Sequence, residues 1–154
     1  MNCYEVLGVL PGVTSVVGSG GKTTLLSKLS QEVRGTVVLT TSTHILPFPN
    51  MPLLENPTLS EVKDALTTHR VICIGAFSGE KHKLGPSALC AQELASVADY
   101  VFVEADGSKR LPLKAHAPHE PVIPKGSRIT IQLVGLSGFG LPVNQTVHRS
   151  EIFC

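Results

Sequence analysis

The sequence predicts an α/β fold, a parallel sheet of about five strands flanked by helices. Two observations carry this. Short apolar runs rich in β-branched residues alternate with segments of helical period, the pattern of β-α units around a buried parallel sheet. A glycine-rich stretch, Gly18 to Gly21, separates the first such run from the first helical segment, as expected where a strand turns directly into a helix.

Taken in order, strands are expected at residues 13–17, 36–40, 70–74, 99–104 and 129–134. The first helix follows Lys22, because Leu25, Leu26, Leu29 and Val33 recur on one face, and Gly35 ends it. A second begins at Thr58-Leu59-Ser60-Glu61, which has the form of a capping box, preceded by Pro57 and followed by Val62, Ala65 and Leu66. The third is expected over residues 87–98, after Gly85-Pro86. Between the second strand and the second helix, Pro47, Pro49, Pro52 and Pro57 rule out regular structure and predict a long ordered loop or lid. A second irregular segment, residues 78–85, carries Glu80, Lys81, His82 and Lys83. Both follow strand ends, and open parallel sheets bind ligands beyond the carboxyl ends of their strands.

A chain of 154 residues with 42% hydrophobic residues fits one domain with one sizeable core. Thirteen basic against twelve acidic side chains leave no global positive field, which argues against nucleic acid or a membrane surface as partner. Apolar runs fall well short of the roughly 18 residues that span a bilayer, and Met1 to Pro11 lacks a signal-peptide pattern, so a cytoplasmic protein is expected. The four cysteines form no C-x-x-C pair. Cys73, within Val71-Ile72-Cys73-Ile74, and Cys90, on the expected third helix, read as small buried thiols, while Cys3 and Cys154 near the termini are open to either reading.

Chemistry concentrates first in Gly18-Ser19-Gly20-Gly21-Lys22-Thr23-Thr24. A glycine-rich loop entering a helix presents backbone N–H groups and the positive helix end to an anion. The helix dipole contributes at most about 2 kcal/mol, whereas micromolar binding needs about 8 kcal/mol, so a fixed charge is required and Lys22 supplies it. Lys22 is expected to face phosphate and to fill no core. The Thr23 hydroxyl is placed to reach Mg²⁺. Together these predict a P-loop NTPase-like domain binding ATP or GTP with Mg²⁺. The loop is the shortened G-x-x-G-K-T, with Val16 five positions before Gly21, and resembles the G-T-x-G-K-[ST] loop of the Mur ligases.

The other strand ends add polar groups. Thr40-Thr41-Ser42-Thr43-His44 follows the second strand; its hydroxyls, Thr41 among them, are candidates for Mg²⁺ or phosphate and His44 for substrate, although Ser and Thr equally cap turns. Tyr100 to Val103 delivers Glu104, then Ala105-Asp106-Gly107, to the edge of the sheet like a Walker-B strand. One of the two carboxylates, Glu104 or Asp106, is expected to serve the magnesium; Glu104 is the first choice because it directly ends the apolar run, whereas Asp106 before Gly107 is also suited to holding the turn. Lys109, Arg110 and Lys114 follow, placed either to neutralise a transferring phosphoryl group or anionic substrate or to form a solvated basic loop. His116, His119 and Glu120 carry the same two readings.

Val17 to Thr24, Thr40 to His44, Glu104-Ala105-Asp106-Gly107-Ser108-Lys109-Arg110-Leu111-Pro112-Leu113-Lys114, His119 to Pro124 and Val147-His148-Arg149 together resemble the YqeC family. The family is described as accessory to selenium-dependent molybdenum hydroxylases and implicated in selenium cofactor biosynthesis. The resemblance therefore implies a nucleotide-driven maturation factor whose partner is such a hydroxylase or its cofactor precursor. Family members usually continue past this point, so a chain lacking the C-terminal part of the family domain is expected. A nucleotide-switched binding module and a Mur-like ligase or small-molecule kinase are the competing readings.

Overall fold

A computed structural model describes residues 2–78 and 83–153; Glu80, Lys81, His82 and Cys154, singled out in the sequence, lie outside them. A one-turn helix α1 (Cys3–Val6) precedes β1 (Gly12–Gly18), α2 (Lys22–Glu32) and β2 (Val37–Thr41). Then come β3 (Leu53–Glu55), α3 (Leu59–Thr68), β4 (Val71–Ser78), β5 (Lys83–Gly85), α4 (Ala91–Leu94) and β6 (Tyr100–Glu104). The last part holds β7 (Leu113–Lys114), β8 (Ser127–Leu133), a 3₁₀ turn (Leu136–Gly138), α5 (Val143–Thr146), β9 (Val147–His148) and α6 (Ser150–Phe153).

The central sheet runs β3-β4-β2-β6-β1-β8, all parallel, and β5 adds antiparallel to the end of β4. The protein is thus α/β with a mostly parallel sheet of seven strands flanked by helices. All five expected strands are present. Alternation across the pleat splits the core in two. Val16, Leu39 and Phe102 pack with Leu26 and Leu29 of α2 on one face, whereas Val38, Ile72, Val101 and Val103 pack with Val62 of α3 and Leu94 of α4 on the other. Each such side chain contributes about 1.5–3 kcal/mol on burial.

Three expectations are corrected. The proline-rich stretch contains β3, a three-residue edge strand that fits between Pro52 and Pro57; the Pro52 carbonyl accepts from Cys73 N–H at 2.7 Å, which needs no donor from proline. The third helix is a single turn, Ala91–Leu94, capped where Cys90 N–H donates to Glu93 at 2.7 Å, and the chain then leaves helical geometry through mixed i−3 and i−4 bonds. As that cap, Cys90 is exposed rather than buried, while Cys73 is buried and burial pushes its thiol up to about 11. The capping box at Thr58 is present as read, with Thr58 N–H donating to Glu61 at 2.7 Å. Among the described residues no helix is long and apolar enough to cross a membrane.

Topology explains why the polar strand ends meet. Helix α2 carries the chain from β1 over to β2, leaving a gap of one strand that β6 fills, in register Val16↔Glu104 and Thr41↔Glu104. The β1 loop, Thr41 and Glu104 therefore emerge side by side at one edge.

Candidate functional site

The turn from β1 into α2 is made by glycines. Gly18, Gly20 and Gly21 have φ of 92°, 84° and 93°, a region costly for residues with a Cβ. At Gly18 a Cβ would also lie 2.2 Å from the Leu133 carbonyl oxygen, because β8 runs alongside. Gly18 N–H donates to Asp106 Oδ2 at 2.8 Å and Ser19 N–H to Leu133 O at 3.0 Å, which fixes the start of the loop to β6 and β8. The residues of the first turn of α2, whose N–H groups have no intrahelical acceptor, line a cleft of about 930 Å³ together with Gly20 and Gly21.

Lys22 is buried, contrary to the expectation that it fills no core. Its Nζ donates to Gly18 O at 2.7 Å and to Ser108 Oγ at 3.4 Å and lies between two carboxylates, 3.7 Å from Glu104 Oε1 and 3.1 Å from Asp106 Oδ1. The second contact is one of charge without hydrogen-bond alignment, so Asp106 Oδ1 has no hydrogen-bond partner of its own. A buried ammonium is tolerated because those charges replace its water. Thr23 Oγ1 donates to Glu104 Oε2 at 3.2 Å.

The two carboxylates differ in environment. Glu104 lines the cleft; burial raises its pKa, outweighing the Lys22 charge and the Thr23 bond that act to lower it. Asp106 is fully buried and outside the cleft lining. Burial opposes its ionisation too, but the Gly18 N–H, the Lys22 charge and His116 Nε2 at 2.8 Å prevail and hold it below its usual range. Thr41 is buried and outside the cleft lining, and its hydroxyl donates to Glu104 O at 2.9 Å and accepts from Thr43 N–H at 3.0 Å.

Ion pairs continue from Asp106. Lys114 Nζ lies 3.3 Å from Asp106 Oδ2 and 2.6 Å from Glu120 Oε2, and it donates to Gly107 O at 2.5 Å. Arg149 pairs with the same Glu120 oxygen. Burial acts to raise Glu120, but the bonds from Arg149 and Lys114 take it down to about 2. Charges therefore alternate from Glu104 through Lys22, Asp106, Lys114 and Glu120 to Arg149. Pairing of β7 with β9, Leu113↔Val147 and Lys114↔His148, brings the last segment to the cleft.

Of the residues expected at a site, Gly20 to Thr24, His44, Glu104, Lys109, Arg110 and Glu120 line this one cleft. Gly18 and Ser19 lie behind the loop, on a separate cavity of about 400 Å³ shared with Leu133 and Phe139. The cleft also includes Ile45, Leu46, His148, Arg149 and Glu151. No local spacing marked these for a site; Val147-His148-Arg149 was visible only as part of the family resemblance.

Fold and site define a class: a parallel α/β protein with a glycine-rich strand-to-helix loop set against an acidic neighbouring strand end. Within it, the family model described as YqeC protein matches residues 14–151. The chain is also 35% identical over 153 residues to a protein of Escherichia coli (strain K12) named "Uncharacterized protein YqeC". The alignment takes in 93% of the chain and 59% of that relative, so the chain spans less than two thirds of the relative's length. This chain belongs to the YqeC family. No solved structure matches it.

Proposed function

We propose that the chain is a Mg²⁺-dependent nucleoside-triphosphate-binding maturation factor that hydrolyses ATP or GTP, or transfers its phosphoryl group, in selenium cofactor biosynthesis for molybdenum hydroxylases. One observation carries the nucleotide reading. A left-handed glycine loop aims the start of α2 into a cleft whose floor joins Lys22 and Thr23 to Glu104 on the adjacent strand. The selenium context is supported by the family resemblance.

The donor chemistry fits magnesium. Thr23 Oγ1 and Glu104 Oε2 are hard oxygens 3.2 Å apart on the cleft wall, and Mg²⁺ takes one or two such groups, completing its shell with water and phosphate oxygens. In this reading Gly20 to Thr24 would offer N–H groups to phosphate oxygens, Lys22 would add charge, and Thr23 with Glu104 would hold the metal, whose positive charge would offset that of the phosphates. Asp106, held by Gly18 N–H and His116 at Oδ2 and flanked by the charges of Lys22 and Lys114, acts through them by fixing the loop. Lys109 and Arg110 line the same cleft outside the phosphate loop, where their charge would serve an anionic substrate.

The test measures phosphate release from ATP and GTP by the purified chain, alone and with a candidate hydroxylase. A deletion strain is examined in parallel. Lower hydroxylase activity at unchanged polypeptide level is expected; normal activity and normal selenium labelling would contradict the selenium role.

A further inference from the structure

Among the described residues, the non-glycine positions with positive φ are Asn50, Asn56, Lys109, Arg110 and Arg149. Asparagine adopts this region readily. The other three are cations at φ of 47°, 62° and 61°, and all three line the cleft. A lysine or arginine held there costs free energy, and such conformations persist where surrounding structure over-determines them and cluster at ligand-binding positions.

Surrounding structure does so for Arg149. Pairing of β7 with β9 and the bond from Ala115 N–H to His148 O at 3.0 Å bring Arg149 beside the segment that follows β6. Glu120, bridging Lys114 and Arg149, anchors the guanidinium. Lys114 is itself spent: its side chain is 1% exposed and paired with two carboxylates. Next to Arg149, His148 also lines the cleft, and its buried Nδ1 has no hydrogen-bond partner.

We propose that Lys109, Arg110 and Arg149 form a second oxyanion site in the cleft, apart from the phosphate loop, that holds the phosphate group of a small phosphorylated second substrate. Guanidinium groups present planar forks that match phosphate oxygens, and two of them with a lysine from separate chain segments make a site for a compact multivalent anion. His148 Nδ1 is a further polar group at its edge. The nucleotide reading is needed only for calling the occupant a substrate; the anion site stands without it.

The test is a titration of inorganic phosphate followed by calorimetry and ³¹P NMR, with melting temperature as a folding control. Wild type is expected to bind phosphate at two sites. Lys22→Gln should leave one, and the double variant Arg110→Ala with Arg149→Ala should leave the other, with the lost site at least tenfold weaker. Arg149→Lys should recover part of the loss, since it restores charge without the fork. Acetate is expected to compete at least tenfold less well. A single site that disappears with Lys22→Gln and survives the double arginine variant would overturn the inference, and equal competition by acetate would overturn the assignment to phosphate. If ATP fails to bind wild type while phosphate still binds through the arginines, the nucleotide reading falls and this one stands.

Discussion

Replacing Glu120 by Gln keeps the shape of the side chain and removes one charge from the middle of the alternating row. Lys114, 1% exposed at its side chain, then keeps only Asp106 and the Gly107 carbonyl, and Arg149 loses its partner. Lys114 and Arg149 lower Glu120 from 4.5 to about 2 against the effect of burial. At about 1.4 kcal/mol per pH unit, that shift is worth at most about 3.5 kcal/mol, and solvent at the rim reduces it to about 1.5 kcal/mol. Because the folded value is the depressed one, this stabilisation is fully present above about 4.5 and is lost as pH falls towards about 2. Urea denaturation of both proteins at pH 7, 5 and 3 measures it. The expected result is a gap of about 1.5–3 kcal/mol at pH 7, equivalent to a melting shift of about 3–10 °C for a domain of this size, that narrows at pH 3. A gap below about 0.5 kcal/mol at pH 7, or one independent of pH, would refute the reasoning.

Other outcomes follow from the same structure. Gly18→Ala places a methyl group against the Leu133 carbonyl oxygen in a left-handed backbone, and is expected to cost more than about 2 kcal/mol, read by thermal unfolding; a wild-type melting temperature would refute the close approach of β8. Cys90 is expected to be alkylated by iodoacetamide within minutes at pH 8, while Cys73, buried and raised to about 11, resists until the protein unfolds; mass spectrometry of the labelled peptides decides it. In a Mg²⁺ titration of nucleotide affinity, Glu104→Gln should lower the magnesium dependence more than Asp106→Asn, whose larger effect should be on stability; the reverse ranking would move the metal role to Asp106.

The sequence made the large features legible because they rest on local signals. Buried parallel strands read as apolar runs, and all five were found at or within a few residues of their observed limits. The Thr58 capping box is a four-residue pattern and needs no tertiary knowledge. What escaped depends on long-range pairing. Leu53–Glu55 is a strand because β4 lies beside it, and nothing local among four prolines signals that. Arg149 reaches the cleft only through pairing of β7 with β9, and the burial of Lys22 only through Asp106, eighty-four positions away. Glu104 could be singled out because it ends an apolar run; that Asp106 is the buried one follows from Gly18, Lys114 and His116 converging on it.

The central claim is that Gly20 to Thr24 and Glu104, which line one cleft, bind a nucleoside triphosphate with magnesium. Lys22→Gln tests it more cleanly than Lys22→Ala, because removing the whole side chain from between two buried carboxylates also threatens the fold. Calorimetric titration of ATP, GTP, CTP and UTP into wild type and Lys22→Gln, with Mg²⁺ and with EDTA, is the direct measurement. The account predicts affinity near the micromolar level for ATP or GTP that requires Mg²⁺ and falls at least about tenfold in a folded Lys22→Gln variant, about 1.4 kcal/mol or more. Absence of binding by wild type, or an affinity unchanged by Lys22→Gln, would contradict it.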